Sequence, residues 1–318
     1  MNSKLLKLFS KIPFLESLFV FIKKIKLPGF QGLPIYDVLT FFFQRFNESE
    51  LQTRSRAIAF SLFLALFPTI IFLFTLIPYV PLENFQIQVL LLLKEFLPSS
   101  TYDAAYTTIE DIVSHQRGGL LSFGFFFALF VSADGVSNIM KWFNKSFHGT
   151  HQRSGFKQQL IAICITIALA LLMFTAIALG IINEYAISFL AKHNILTNSL
   201  QFFLLQFLKW LILLSLCFSG IALLYYFGPS ERKKISYLTP GASFSTILVV
   251  ITSLGFNFFI NNFASYNKIY GSIGTLIIIL IWTYLNTLVL LIGYELNISI
   301  FEANTSHKKR MTKIKSVV

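Results

Sequence analysis

The chain has 318 residues, of which 55% are hydrophobic and only 13% are charged, and its mean hydropathy is +0.69. Soluble domains carry roughly 25% charged residues, so this composition excludes an ordinary soluble domain and predicts a polytopic membrane protein. The formal net charge of +12 is compatible with nucleic-acid binding. The distribution of this charge along the chain decides whether nucleic-acid binding is expected.

The first 56 residues predict a cytoplasmic segment that lies on the membrane surface instead of crossing it. In residues 1–30, apolar side chains recur at helical spacing with Lys4, Lys7 and Lys11 between them. This pattern is typical of a basic amphipathic helix on anionic lipid headgroups. A secretory signal peptide is the alternative, but no A-x-A-like cleavage site follows. Residues 34–47 predict a second short interfacial helix.

Six apolar runs follow, and each reaches the roughly 20 residues that a membrane-spanning helix needs. They predict an all-α protein with six transmembrane helices, at about residues 57–80, 119–140, 159–183, 202–227, 238–261 and 273–300. Pro68 lies within the first run and predicts a kink there. Thr239 and Pro240 predict the N-cap and first helical residue of the fifth run, followed by Gly241.

Two further segments complete the predicted domain organisation. The loop 81–118 contains two amphipathic stretches and predicts a helical cap over the outer end of the bundle, with a docking site for a partner as the alternative. Residues 301–318 predict a basic cytoplasmic tail. The domains expected are therefore an interfacial segment 1–56, a transmembrane domain 57–300 and this tail.

The positive charges predict the orientation of the chain in the membrane. Of its 26 lysine and arginine residues, 21 lie in the first 56 residues, in the loops after the second and fourth runs, and in the tail. By the positive-inside rule, both termini are then cytoplasmic. The excess charge is thus a topology signal, and no RNA-binding motif accompanies it. We therefore expect membrane lipids as partners and no nucleic acid.

Several polar side chains lie inside the apolar runs, where hydrocarbon tolerates them only against protein or water. They are Asp134 and Asn138 in the second run, Asn257 and Asn261 in the fifth, and Tyr284, Asn286, Glu295 and Asn297 in the sixth. Two interpretations are open: a polar cavity lined by these three runs, or interhelical hydrogen bonds that only hold the bundle together. For the amides, the structural interpretation is favoured. For the two carboxylates the two interpretations are about equally supported, because a charge inside the membrane is costly and is retained only for a reason.

The remaining motifs indicate packing and not catalysis. Gly271 and Gly274 flank the start of the sixth run and Gly293 lies near its end, where they are expected to allow a tight turn and close helix packing. His148 and His151 have no further ligand residues nearby, so no metal site is predicted. No G-x-S-x-G motif and no P-loop occurs, so neither a catalytic site nor a cofactor is expected.

Four stretches of the chain carry a family resemblance. They read S-L-F-L-A-L-F-P-T in the first run, A-D-G-V-S-N-I-M-K-W-F-N in the second, G-P-S-E-R-K-K-I-S-Y-L-T-P-G-A-S into the fifth, and Y-G-S-I-G-T-L-I-I-I-L-I-W-T-Y-L-N-T-L-V-L-L-I-G-Y-E-L-N in the sixth. They resemble the YihY/BrkB family of bacterial inner-membrane proteins, formerly described as "ribonuclease BN". The resemblance spans most of residues 34–300. Tyr294 stands where the family usually has a small residue, in G-A-E-L-N.

The resemblance implies six spans and a place in the bacterial inner membrane, but no settled reaction. The nuclease name looks like a misassignment, and some members are linked to export of lipid or lipopolysaccharide precursors. We therefore expect a non-enzymatic protein that helps to transport or translocate a lipid-like envelope component. The alternatives are a structural scaffold for envelope assembly and a tRNA-processing nuclease.

Overall fold

The computed structural model describes residues 29–48, 50–79, 118–146, 153–192, 199–230, 236–262 and 272–315, together with positions 87, 90, 106, 110 and 111. The predicted amphipathic helix in residues 1–30 lies outside the described residues except for its last two positions, and so does most of the predicted cap in 81–118. The few described positions within that loop are helical.

The described residues form seven α-helices, six of which are candidates to span the membrane. They are α1 Ile35–Glu48, α2 Leu51–Leu76, α3 Gly118–Ser146, α4 Gly155–Lys192, α5 Ser199–Phe227, α6 Pro240–Asn262 and α7 Ser272–Lys315. A 3-10 turn, Ile77–Tyr79, follows α2. Helices α2 to α7 are each long and apolar enough to cross a membrane, so the predicted all-α protein with six spans is confirmed.

The first and last spanning helices extend beyond the apolar runs that predict them. Helix α2 begins at Leu51 and continues through Pro68 without interruption. Helix α7 continues past Ile300 to Lys315. Hydropathy marks only the part of a helix that lipid covers, whereas its backbone hydrogen bonds continue where tertiary packing supports the more polar turns.

The second short helix, predicted in residues 34–47, is present as α1, and it packs against the last turns of α7. Val38 is fully buried and shares an apolar cluster with Phe30 and Leu33 from the preceding loop and with Leu296 and Ile300 from α7. This contact places α1 beside α7 and supports the helical conformation of α7 beyond its apolar run.

Each spanning helix packs against the next one in the chain, from α2 to α7. Helix α7 also contacts α1, α2 and α3, so it occupies a central position among the described helices. Helices α4 and α5 are instead the outer wall of the bundle, with large exposed apolar side chains such as Phe174 and Phe203. Apolar surface of this extent is expected where the spanning helices of a membrane protein face lipid.

An aromatic cluster joins α3, α5 and α7. The rings of Phe143 and Tyr294 stack at 3.8 Å between centroids, and Tyr225 meets Phe143 edge-on at 5.7 Å. The hydroxyl of Tyr294 donates to the carbonyl oxygen of Phe143 at 3.3 Å. Tyr294, the large residue in the G-Y-E-L-N motif, is therefore accommodated as a buried member of the core.

One end of the bundle, which we call the basic end, carries Arg54, Lys141, Lys145, Arg153 and Lys157. The starts of α2 and α4 meet the ends of α3 and α5 there, since polar contacts join these helix ends across the bundle.

The contacts of Arg153 are representative of the basic end. Its guanidinium donates to the carbonyl oxygens of Phe227, Gly228 and Pro229, the groups that the end of α5 leaves without helical partners. The side-chain oxygen of Asn144 accepts from the backbone N–H of Ser230 at 2.7 Å. These bonds fix the loop after α5 against α3 and α4.

Candidate functional site

Asp134 and Asn138 lie on the face of α3 that meets α2. The amide nitrogen of Asn138 donates to Ser61 Oγ at 2.9 Å and to Asp134 Oδ2 at 3.2 Å. Lys141 Nζ donates to the amide oxygen of Asn138 at 3.1 Å. These bonds form a polar chain that begins at half-buried Asp134 and ends at an exposed ammonium group.

This polar chain ends in a cavity of about 470 Å³, which we call the α2–α3 cavity. It is lined by Ala57, Ser61, Asn138, Lys141, Trp142 and Lys145. Ala57 and both lysines are exposed, so the cavity opens outward at the basic end. The ammonium of Lys145 lies 5.0 Å from the centre of the Trp142 ring, within the range of a cation–π contact.

Glu295 forms a buried polar group with Arg54 and Ser146, and this group lies next to the α2–α3 cavity because Arg54 is also 5.2 Å from the centre of the Trp142 ring. The side chain of Glu295 is 1% exposed, and its Oε1 accepts from Ser146 Oγ at 2.7 Å. Arg54 Nη1 lies 3.6 Å from the same oxygen and donates to Ser146 Oγ at 3.0 Å. A buried carboxylate needs such partners because its desolvation is expensive. The group joins α2, α3 and α7.

The spacing of Asp134 and Asn138 indicated one partner correctly, but the sequence did not reveal Arg54 and Ser146 as the partners of Glu295. Arg54 was counted only among the charges that orient the chain, although it lies just before an apolar run and is 8% exposed. Lys141, Trp142 and Lys145 follow Asn138 at spacings of three, four and seven residues, which places them on one helix face. That spacing was the signal that could have identified the cavity.

Asn297 and Thr239 together form the start of α6. The side-chain oxygen of Asn297 accepts from the backbone N–H of Gly241 at 2.8 Å, and its amide nitrogen donates to Thr239 Oγ1 at 3.0 Å. Thr239 Oγ1 also accepts from the N–H of Ala242 at 3.2 Å. The predicted N-cap at Thr239, with Pro240 first in the helix, is confirmed. The polar side chain of Asn297 is used in this capping arrangement.

Gly241 and Gly293 let α6 and α7 approach closely. A Cβ atom at Gly241 would lie 2.1 Å from the carbonyl oxygen of Gly293. A Cβ atom at Gly293 would lie 1.8 Å from Ser245 Oγ. The close packing expected at these glycines is thus observed. Gly274 is buried near the start of α7, and Gly271 lies outside the described residues.

The remaining predicted site residues are not among those described above at the α2–α3 cavity, at Glu295 or at the start of α6. Asn286 donates to the carbonyl oxygen of Trp282 in its own helix at 2.8 Å. Tyr284 is half-buried in α7 and Asn257 is exposed on α6, while the side chain of Asn261 lies outside the described part of the chain.

The described polar side chains therefore do not form one cavity between α3, α6 and α7. Asp134 and Asn138 belong to the polar chain at the α2–α3 cavity, Glu295 to the buried group with Arg54, and Asn297 to the start of α6. The spacing of polar residues in a helix identifies a polar face but not the helix against which that face packs. Here the polar face of α3 packs against α2, which the spacing did not predict. In the described ranges, no three His, Cys, Asp or Glu side chains are placed to hold a metal ion.

Three relatives are similar to this chain over most of their own lengths. The putative ribonuclease-like protein YfkH of Bacillus subtilis (strain 168) is 30% identical over 255 residues, which cover 80% of this chain and 92% of the relative. A UPF0761 membrane protein of Haemophilus influenzae (strain 86-028NP) is 26% identical over 257 residues, covering 80% and 91%. A UPF0761 membrane protein of Coxiella burnetii (strain RSA 493) is 26% identical over 265 residues, covering 80% and 90%.

No solved structure matches the chain. The profile of the family described as "Virulence factor BrkB" matches residues 42–315, a range that includes α2 to α7 completely and the α2–α3 cavity with them. This match agrees with the six spans of the structure and with the resemblance of the four sequence stretches. The chain belongs to the BrkB family of membrane proteins.

Proposed function

We propose that this protein takes part, without being an enzyme, in the transport or translocation of a lipid-like component of the bacterial envelope. The α2–α3 cavity is the observation that carries this proposal. It is a recess of about 470 Å³ whose lining combines two lysines, Ser61 and Asn138 with Ala57 and Trp142, and it opens at the basic end of a bundle of candidate membrane-spanning helices. A lipid is amphipathic, so its binding site needs polar groups beside an exposed apolar surface.

Such an apolar surface adjoins the cavity on both helices. Leu64 lies about two turns along α2 from Ala57, on nearly the same face, and is 44% exposed. Phe130 lies about three turns along α3 from Lys141, again on the same face, and is 57% exposed. A headgroup in the cavity would therefore leave its acyl chains beside apolar side chains.

We further propose that the protein lies in the inner membrane with its basic end in the cytoplasm. Topology reporters test this orientation, which rests on the uneven distribution of lysine and arginine. Cytoplasmic signals are expected for fusions after Lys157, Lys234 and Lys315, and outside signals for fusions near Thr101, His193 and Asn267. A cytoplasmic signal at Thr101 would contradict the orientation.

Native mass spectrometry of the purified protein tests the lipid function. We expect one lipid class to be enriched on the protein relative to the host membrane, because the cavity selects a headgroup. An unrelated six-span protein, purified in the same detergent, is the control. Co-purified lipids of bulk composition on both proteins would contradict the proposal and favour the structural scaffold.

The name of the Bacillus subtilis relative suggests a second candidate, ribonuclease activity. The two intramembrane carboxylates are engaged in other contacts: Asp134 with Asn138, and Glu295 with Ser146 and Arg54. RNA cleavage that stays with the protein through stringent purification, and that is lost with a variant of the chain, would support the nuclease instead.

A further inference from the structure

We infer that the α2–α3 cavity binds the phosphate-bearing headgroup of an anionic lipid through the ammonium groups of Lys141 and Lys145. This inference rests on the proposed function and names the substrate class that the cavity takes.

The two lysines supply positive charge that the described part of the structure leaves uncompensated. An ammonium group has three N–H donors, and Lys141 uses one of them on the amide oxygen of Asn138. Lys145 lies over the ring of Trp142, and in the described ranges no ion pair is recorded for either lysine. Arg54, which lies 5.2 Å from the centre of the Trp142 ring, is balanced by Glu295.

Asp134 acts as a positioning residue behind the cavity. Its carboxylate does not line the cavity, but it accepts from the amide nitrogen of Asn138 and so orients the amide oxygen towards Lys141. The other N–H donors of the two ammonium groups stay available for a ligand, and a phosphodiester headgroup supplies both acceptor oxygens and negative charge for them.

The surroundings favour a lipid over a soluble anion as the source of the phosphate. Trp142 lines the cavity, and tryptophan is enriched where membrane proteins meet the headgroup layer. Leu64 and Phe130 extend the same faces of α2 and α3 with exposed apolar side chains. A free phosphate ion would make no use of this surface, whereas an acyl chain would lie against it.

Fluorescence quenching of Trp142 measures the occupant of the cavity directly. The chain has three tryptophans, and Trp210 and Trp282 are exposed, so the W210F/W282F variant keeps Trp142 as the only tryptophan. The protein is reconstituted in phosphatidylcholine vesicles that contain increasing fractions of brominated phosphatidylglycerol or brominated phosphatidylcholine. We expect the anionic lipid to quench Trp142 at the lower mole fraction.

Neutralising both lysines should remove most of this preference. A lysine near an anionic lipid strengthens binding about fivefold, so K141Q/K145Q is expected to reduce the preference by roughly 25-fold. Both side chains are exposed, and an unchanged unfolding temperature confirms that the variant is folded. The matched control is K157Q, an exposed lysine of the basic end that does not line the cavity.

Each outcome decides between the possible ligands. Equal quenching by the two lipids, or a preference that K141Q/K145Q leaves intact, would overturn the inference. Inorganic phosphate that shifts Trp142 emission, without preferential quenching by phosphatidylglycerol, would assign the cavity to a soluble anion. If native mass spectrometry finds an enriched lipid while quenching shows no preference, the proposed function stands and only this binding site fails.

Discussion

Replacing Glu295 by glutamine is expected to destabilise the protein by about 3–5 kcal/mol, because removing one member of a buried ion pair leaves its partner's charge uncompensated. The side chains of Arg54 and Glu295 are 9% and 1% exposed, so water screens the uncompensated charge of Arg54 only weakly. Thermal unfolding of the detergent-purified protein measures the effect. The amount of folded protein in the membrane should fall in parallel.

A double-mutant cycle separates this charge effect from a general packing defect. The combined Arg54→Gln and Glu295→Gln variant should be less destabilised than the sum of the two single changes, since the two charges are removed together. Arg56→Gln, at an exposed neighbouring position, is the control and should change the unfolding temperature little. Additive single and double effects would contradict the coupling of Arg54 and Glu295.

Gly293→Ala is expected to loosen the contact of α6 with α7 and to cost about 1–3 kcal/mol, the usual range for overpacking a well-packed core. The added methyl group would lie 1.8 Å from Ser245 Oγ, 2.6 Å from the carbonyl oxygen of Gly241 and 2.8 Å from the hydroxyl of Tyr225. The backbone of α6 cannot rotate away as a flexible side chain would. The unfolding temperature in detergent is again the measurement.

Gly255→Ala is the matched control for this substitution. Gly255 lies in α6 as well, and an added methyl group there would meet nothing within 4 Å. Because alanine is favoured over glycine inside a helix by roughly 0.5–1 kcal/mol, this variant should be neutral or slightly stabilised. Equal destabilisation by Gly255→Ala and Gly293→Ala would show that the close approach of the helices is not the cause.

The spanning helices could be predicted from the sequence because the membrane imposes a simple rule. Lipid offers no hydrogen bonds to the backbone, so a long apolar run has to form a helix. The polar turns at Arg54 and beyond Ile300 follow no such rule. They are helical because neighbouring elements pack against them, and tertiary contacts of this kind leave no hydropathy signal.

The candidate site could be predicted only in part, for a related reason. The spacing of Asp134 and Asn138 identified a polar face on α3, and the structure joins the two side chains by a hydrogen bond. The same spacing could not show that this face meets Ser61 of α2. The partner of Glu295 was harder to predict, because Arg54 is 241 positions away in the sequence and its charge was already explained by the orientation of the chain in the membrane.

Photo-crosslinking in living cells tests the central claim, that the α2–α3 cavity holds an anionic lipid, most directly. A p-benzoylphenylalanine residue replaces Ala57, which is exposed and lines the cavity, or Phe156, which is 79% exposed at the start of α4 and serves as the lipid-facing control. Mass spectrometry then identifies the adducts. We predict that position 57 captures phosphate-bearing anionic lipid in marked excess over position 156; adducts of the same bulk composition at both positions would contradict the account.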